Sequence, residues 1–166
     1  MFFAWLSTII ILPFTVIAII PALLLLVSGY GYDAPSFFAS VTGWLLLAIG
    51  FTFAVWAMGL FHRIGKGTAA PWNPPKNLVI WGPYRYVRNP MIISVLTVLA
   101  AETILLGSWV VAAWGVAFFA LNQFYYFPRV EEPQLLERFG KEYAEYKEQV
   151  NRWIPRLIGI RKSKGE

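Results

Sequence analysis

The stretch FFASVTGWLLLAIGFTFAVWAMGLF, residues 37–61, contains no charged side chain and no proline. A helix needs about 20 mostly apolar residues to cross the hydrocarbon core of a bilayer, so this run predicts one spanning helix. The flanking sequence extends the pattern. From Met1 the first charged residue is Asp33 and the next is Arg63, which leaves room for an earlier span over about 4–28. Between Arg88 and Arg129 the sole charge is Glu102. That interval is too long for one span, and Leu106-Gly107-Ser108-Trp109 at its midpoint marks a tight turn. Two helices are expected there, over about 90–106 and 109–128. The expectation is an all-α integral membrane protein, a single domain over 1–166 with four transmembrane helices.

Composition agrees with that reading. Hydrophobic residues make up 58% of the chain and charged residues 14%, against roughly 45–50% and 25% in soluble domains. The absence of cysteine excludes disulfides, thiolate metal sites and a cysteine nucleophile. The single histidine, His62, excludes a His-rich zinc site, and no metal is expected. The excess of 14 basic over 9 acidic residues in so apolar a chain points to membrane orientation and not to nucleic acid. The first run lacks the basic flank and A-x-A-like cleavage site of a signal peptide. It therefore reads as a retained span kinked at Pro13 and Pro21, whose freed carbonyls neighbouring groups must satisfy.

Basic residues in short loops mark the cytoplasmic side. The first connection carries only Asp33 and the hairpin tip carries no charge, whereas 62–89 holds Arg63, Lys66, Lys76, Arg85 and Arg88 without an acid. Nine further basic residues follow Pro128. Both polar segments, and with four spans both termini, are expected in the cytoplasm, with any active site on that side.

The segment 62–89 is dense in Gly, Pro and Asn and reads as an ordered loop. Pro90 suits the first turn of the third span with Asn89 as its N-cap. That helix end, with Arg88 beside it, is a seat for a carboxylate or phosphate; the alternative is that Arg88 reaches anionic headgroups. In the second polar segment Leu135, Leu136, Phe139, Tyr143, Tyr146 and Val150 recur at three- and four-residue steps. They predict amphipathic C-terminal helices over 129–156, broken near Gly140, ahead of a tail over 157–166. Glu131 and Glu132 fall where the fourth span leaves the lipid, and such a pair is costly unless it is solvated or holds a cation. Arg88, Arg129 or a ligand's ammonium would serve.

Two motif matches carry no chemistry. Gly29-Tyr30-Gly31-Tyr32-Asp33-Ala34 fits a dinucleotide fingerprint without the strand and βαβ unit it needs. Gly65-Lys66-Gly67-Thr68 echoes a phosphate loop whose first glycine is replaced by Leu60. Glu102 lies 12 residues into the third helix, about 18 Å from its start at ~1.5 Å per residue. That position is near the outer headgroups, or else it lines a cavity.

The combination Leu78-Val79-x-x-Gly82-x-Tyr84-x-x-x-Arg88-Asn89-Pro90, followed by Glu131-Glu132-x-x-Leu135-x-x-x-Phe139-Gly140-x-x-Tyr143-x-x-Tyr146-x-x-x-Val150 and Ile154-Pro155, resembles the isoprenylcysteine carboxyl methyltransferase family. This is the group of small integral-membrane methyltransferases that includes phospholipid methyltransferase relatives. The resemblance implies S-adenosylmethionine as methyl donor, S-adenosylhomocysteine as product, and a cofactor loop over 62–89 without a Rossmann domain. Cofactor contacts carried over by position are Lys76, Asn77, Leu78, Val79, Tyr84, Arg88, Asn89, Pro90, Met91, Ile92 and Glu131. Arg88 and Glu132 are the candidate catalytic residues, with Glu132 available to an amine that must lose a proton. The implied partners are the bilayer and a lipophilic or small acceptor, a thiol, carboxylate or amine, with no obligatory protein partner. Lys76 and Asn89 stand where many members carry histidine. Phe127 stands where the eukaryotic prenylcysteine enzymes place an arginine, with Arg129 nearby. The alternative is a non-catalytic lipid-binding or assembly protein of the same fold.

Overall fold

The computed structural model describes residues 13–67 and 74–160, and among these every regular element is helical. Helix α1 (Thr15–Val27) leads to α2 (Phe37–Gly65), then a loop with a short 3-10 turn at Gly82–Arg85. The hairpin follows as α3 (Pro90–Leu106) and α4 (Trp109–Leu121). A π-helical stretch, Asn122–Glu131, joins α4 without a break to α5 (Glu132–Gln149).

Two of these helices, not four, are long and apolar enough to cross a membrane: Phe37–Gly65 and the continuous Trp109–Gln149. The expected third span has the predicted bounds, since Pro90 opens α3 and Gly107, in the left-handed region at φ 61°, closes it. Its 17 residues nevertheless rise only about 25 Å, short of the ~30 Å hydrocarbon core. The expected first span over 4–28 lies partly outside the described residues, and α1 within them is shorter still. The C-terminal helices expected over 129–156 are two helical segments within α5, joined at a kink where Gly140 leaves helical geometry (φ 50°), and they stop at Gln149. Residues 150–160 are irregular.

Helix α2 packs chiefly on α3. Over Phe37–Leu60 its buried residues, Gly43, Gly50 and Ala57, are all small and recur every seven positions. That stripe lets two apolar helices approach closely, as packing inside lipid favours. A side chain at Gly50 would meet Val98 Cγ2 at 2.8 Å and the Ser94 carbonyl at 3.2 Å. The rest of α2 turns outward, with Phe37, Phe38, Trp44 and Val55 all exposed.

Three stretches have the wide π-helical register, Thr15–Ile19, Phe61–Gly65 at the end of α2 and Asn122–Glu131, and the first and third are linked to a proline. In the i→i−5 register Pro21 and Pro128 cannot donate to the carbonyls of Val16 and Gln123, respectively. Trp114 Nε1 donates to the Val16 carbonyl at 2.9 Å, and Arg152 donates to that of Gln123 at 3.4 Å. Side chains from other elements thus satisfy the freed acceptors, as apolar surroundings require.

Candidate functional site

Residues 78–80 of the loop between α2 and α3 are buried, non-helical chain. Leu78 and Ile80 pack on Tyr143, Tyr146 and Val150, while Val79 between them packs on Ala57 and Tyr84. Successive side chains here pack on different elements, so these residues join α5 to α2. Asn77 Nδ2 donates to the Ile64 carbonyl at 3.0 Å, and the Lys76 backbone N–H donates to that of Gly65 at 2.7 Å. These bonds cap the end of α2.

The two polar segments meet at Glu132. Its Oε1 accepts from Arg88 Nη1 at 2.9 Å and from Arg152 Nη2 at 2.5 Å, and its Oε2 accepts from Lys147 Nζ at 2.6 Å. Burial works against the charge of Glu132, but the bonds from Lys147 and Arg152 and the charge of Arg88 outweigh it and hold this carboxyl below its usual range. Arg152 also donates to Gln123 Oε1 at 3.0 Å and lies over the Phe127 ring. Phe127, only 1% exposed, is covered by Arg152 and Trp153. Arg129 turns elsewhere, its guanidinium 5.5 Å from the Tyr125 ring centre, so Arg88, Lys147 and Arg152 supply the cations for this acid.

Beside this cluster is a cavity of about 600 Å³, within the ~300–1,000 Å³ typical of small-molecule pockets. Of the residues singled out in the sequence, Asn77, Leu78, Val79, Tyr84, Arg88, Asn89, Met91, Ile92 and Glu131 line it. Lys76, Pro90 and Glu132 do not: Lys76 is exposed, Pro90 is buried in the packing of α3, and Glu132 is enclosed by its cations. His62 is exposed and also lies off the cavity wall. Asn89 occupies the N-cap position of α3, but its side chain makes no capping bond. The sequence reading did not single out Gln134 or Arg138 as cavity residues, although both line it. Their signal is spacing, because Glu131, Gln134, Leu135 and Arg138 fall three, four and seven residues apart along one helical face.

Several polar atoms on this wall have no protein partner. Among the described residues the Glu131 carboxyl makes no hydrogen bond or ion pair, and Arg88 Nε and the Tyr84 hydroxyl are buried without one. Burial, then the adjacent Glu132 charge, pushes Glu131 up to about 7 against the pull of Arg152 and Arg88. Burial raises Tyr84 and Tyr146 well above the usual phenol range, leaving both as neutral hydroxyls. Tyr146 donates its proton to the Tyr84 carbonyl at 2.7 Å. Apart from Asn122, the remaining wall is apolar or aromatic, including Val95, Phe118, Leu121 and Tyr126.

A half-open, mostly apolar cavity whose lining includes a few polar side chains has the form of a binding site for a partly polar small molecule. The phospholipid methyltransferase family profile matches residues 38–142, more than half the chain and a range that includes both halves of this site. The chain therefore belongs to the phospholipid methyltransferase family, within the isoprenylcysteine carboxyl methyltransferase-like group. Searches of curated proteins and of solved structures found no match.

Proposed function

We propose that this protein is a membrane-embedded methyltransferase that uses S-adenosylmethionine and acts on an acceptor with a lipophilic portion. Family membership gives the reaction class. The observation that carries the rest is that Glu131, whose carboxyl has no protein partner, and the cationic Arg88 line the same cavity. A free amino-acid moiety has an ammonium and a carboxylate, which these two groups complement. The first turn of α3 adds uncapped backbone N–H donors at Met91 and Ile92 on the same wall. Tyr84, Phe139 and Tyr143 offer faces to a planar base. When bound, S-adenosylmethionine supplies an electrophilic methyl group for in-line transfer.

The chain contributes position and dryness. Glu132 fixes Arg88 from behind, a positioning role, and with its carboxyl saturated it is a poor proton acceptor. Glu131, taken up by the donor's ammonium, is not free to act as a base, so an amine acceptor loses its proton to solvent; a thiolate or carboxylate acceptor has none to lose. Enclosure between α3, α4 and α5 excludes water and restricts the reactants, an effect worth several kcal/mol in such reactions. The apolar end of the cavity accommodates the lipophilic part of the acceptor. Helix α2 and the continuous helix Trp109–Gln149 cross the bilayer, α3 returns the chain alongside α2, and the site faces the cytoplasm under the positive-inside rule.

The test is transfer of labelled methyl from S-adenosylmethionine by the purified, reconstituted protein to total lipid extract and to small thiols. Label in the organic-extractable fraction is the expected result. No label in either fraction would overturn the reading.

A further inference from the structure

The chain beyond α5 leaves three large apolar side chains uncovered: Ile154, Leu157 and Ile158 are 73%, 101% and 80% exposed. This segment is not loose. Arg88 N–H donates to the Asn151 carbonyl at 2.9 Å, Arg156 N–H to that of Tyr86 at 2.9 Å, and Ile160 N–H to that of Arg85 at 3.1 Å. Arg85 Nε returns a bond to the Ile160 carbonyl at 2.6 Å. Gly159 lies so close that an added Cβ would come within 2.9 Å of the Tyr86 ring. The segment is thus strapped along 85–88, the piece of loop that ends at Arg88.

Its level along the molecule is set by Trp153, whose ring packs tilted against Phe119 at 5.0 Å and edge-to-face on Phe127 at 5.5 Å between centroids. Both belong to the apolar part of the long helix that begins at Trp109. The exposed trio follows directly on a side chain packed at that depth. Its neighbours are basic: Arg156 is exposed, and Arg161, Lys162 and Lys164 follow in the sequence with Glu166 the one acid.

We propose that residues 153–160 form a strap seated in an anionic bilayer surface, with Ile154, Leu157 and Ile158 inserted among the lipids, and that this seating holds 85–88 and hence Arg88 in place. The apolar trio is continuous with the surface of the membrane-crossing helix, and its basic flank complements anionic headgroups. The proposal uses the membrane embedding described above and none of the methyl-transfer chemistry.

The absence of cysteine allows a clean test. Leu157→Cys, and Lys141→Cys on the exposed face of α5 as a reference, are each labelled with a polarity-sensitive fluorophore. The full chain is reconstituted in phosphatidylcholine vesicles with or without phosphatidylserine. The label at 157 is expected to shift to the blue and resist aqueous acrylamide, most strongly with phosphatidylserine, while the label at 141 is quenched. Quenching at 157 as complete as at 141 in both vesicles would overturn the seating and assign the trio to a protein partner. For the holding role, Leu157→Asp is expected to speed amide hydrogen exchange across 85–88 about fivefold or more relative to Leu157→Met in the same vesicles. Equal exchange in the two variants would overturn it. Neither readout depends on methyltransferase activity, so failure here is distinct from failure to bind S-adenosylhomocysteine.

Discussion

Arg88 and Glu132, 44 positions apart in sequence, meet at 2.9 Å, and this contact ties the loop before α3 to the first turn of α5. Their side chains are only 11% and 8% exposed. Removing one partner from such a pair leaves an uncompensated charge, at a cost of about 3–5 kcal/mol. Three cations converge on this carboxylate, so Glu132→Gln is expected to lower the unfolding midpoint in detergent markedly. An unchanged midpoint would show that the cluster contributes nothing to the fold.

Glu131→Gln separates binding from folding. Its carboxyl has no protein partner to lose, so the variant should fold. Its affinity for S-adenosylhomocysteine should fall by more than about tenfold, that is by over ~1.4 kcal/mol. Equal affinity would remove Glu131 from the ligand contacts.

The two acids act on pH dependence in opposite directions. Glu131 is raised from its usual 4.5 to about 7, so the folded state holds an extra proton between those values. Its contribution therefore makes the protein less stable as pH rises through that window. Glu132 is held below 4.5, and the stability it contributes is lost as pH falls through its depressed value. Comparing unfolding midpoints at pH 5.5 and 8, Glu131→Gln should gain relative to wild type at the higher pH. A constant difference between the two proteins would refute the raised value.

Ligand affinity should run the other way. Binding an ammonium requires ionised Glu131, so wild-type affinity for S-adenosylhomocysteine should rise as pH increases from 6 to 8. Glu131→Gln should flatten that profile, as titration calorimetry in matched buffers can determine.

In the helical bundle, Trp114→Phe keeps the ring but strands the Val16 carbonyl, and is expected to cost about 1 kcal/mol. Gly50→Leu forces a side chain into Val98 and the Ser94 carbonyl and should cost about 1–3 kcal/mol. A Gly50→Leu variant as stable as wild type would contradict the close α2–α3 approach.

Local features were legible in the sequence wherever a residue has a fixed backbone consequence. Pro90 and Gly107 bound α3, Gly107-Ser108 turns the hairpin, and Gly140 interrupts α5 as its spacing implied. The number of spanning helices was not legible in the same way. The third expected span has the observed bounds of α3 but only 17 residues, too few for the hydrocarbon core, and the first lies partly outside the described residues. Partner choice was partly legible, since Arg88 was among the cations expected for the acid pair, whereas Lys147 and Arg152 were not. Nothing near Glu132 in sequence announces Arg88, Lys147 and Arg152 together, because their convergence depends on the loop threading between α2 and α5. The division of labour within Glu131-Glu132 follows from that convergence: one acid is enclosed by cations, and its neighbour is left free on the cavity wall.

The most direct measurement is isothermal titration calorimetry of the purified protein with S-adenosylhomocysteine, run beside Glu131→Gln and Arg88→Ala. Saturable binding by wild type, weakened more than about tenfold in each variant, is the expected result. No heat and no thermal stabilisation of the wild-type protein at millimolar ligand would contradict the assignment of this cavity to the methyl donor.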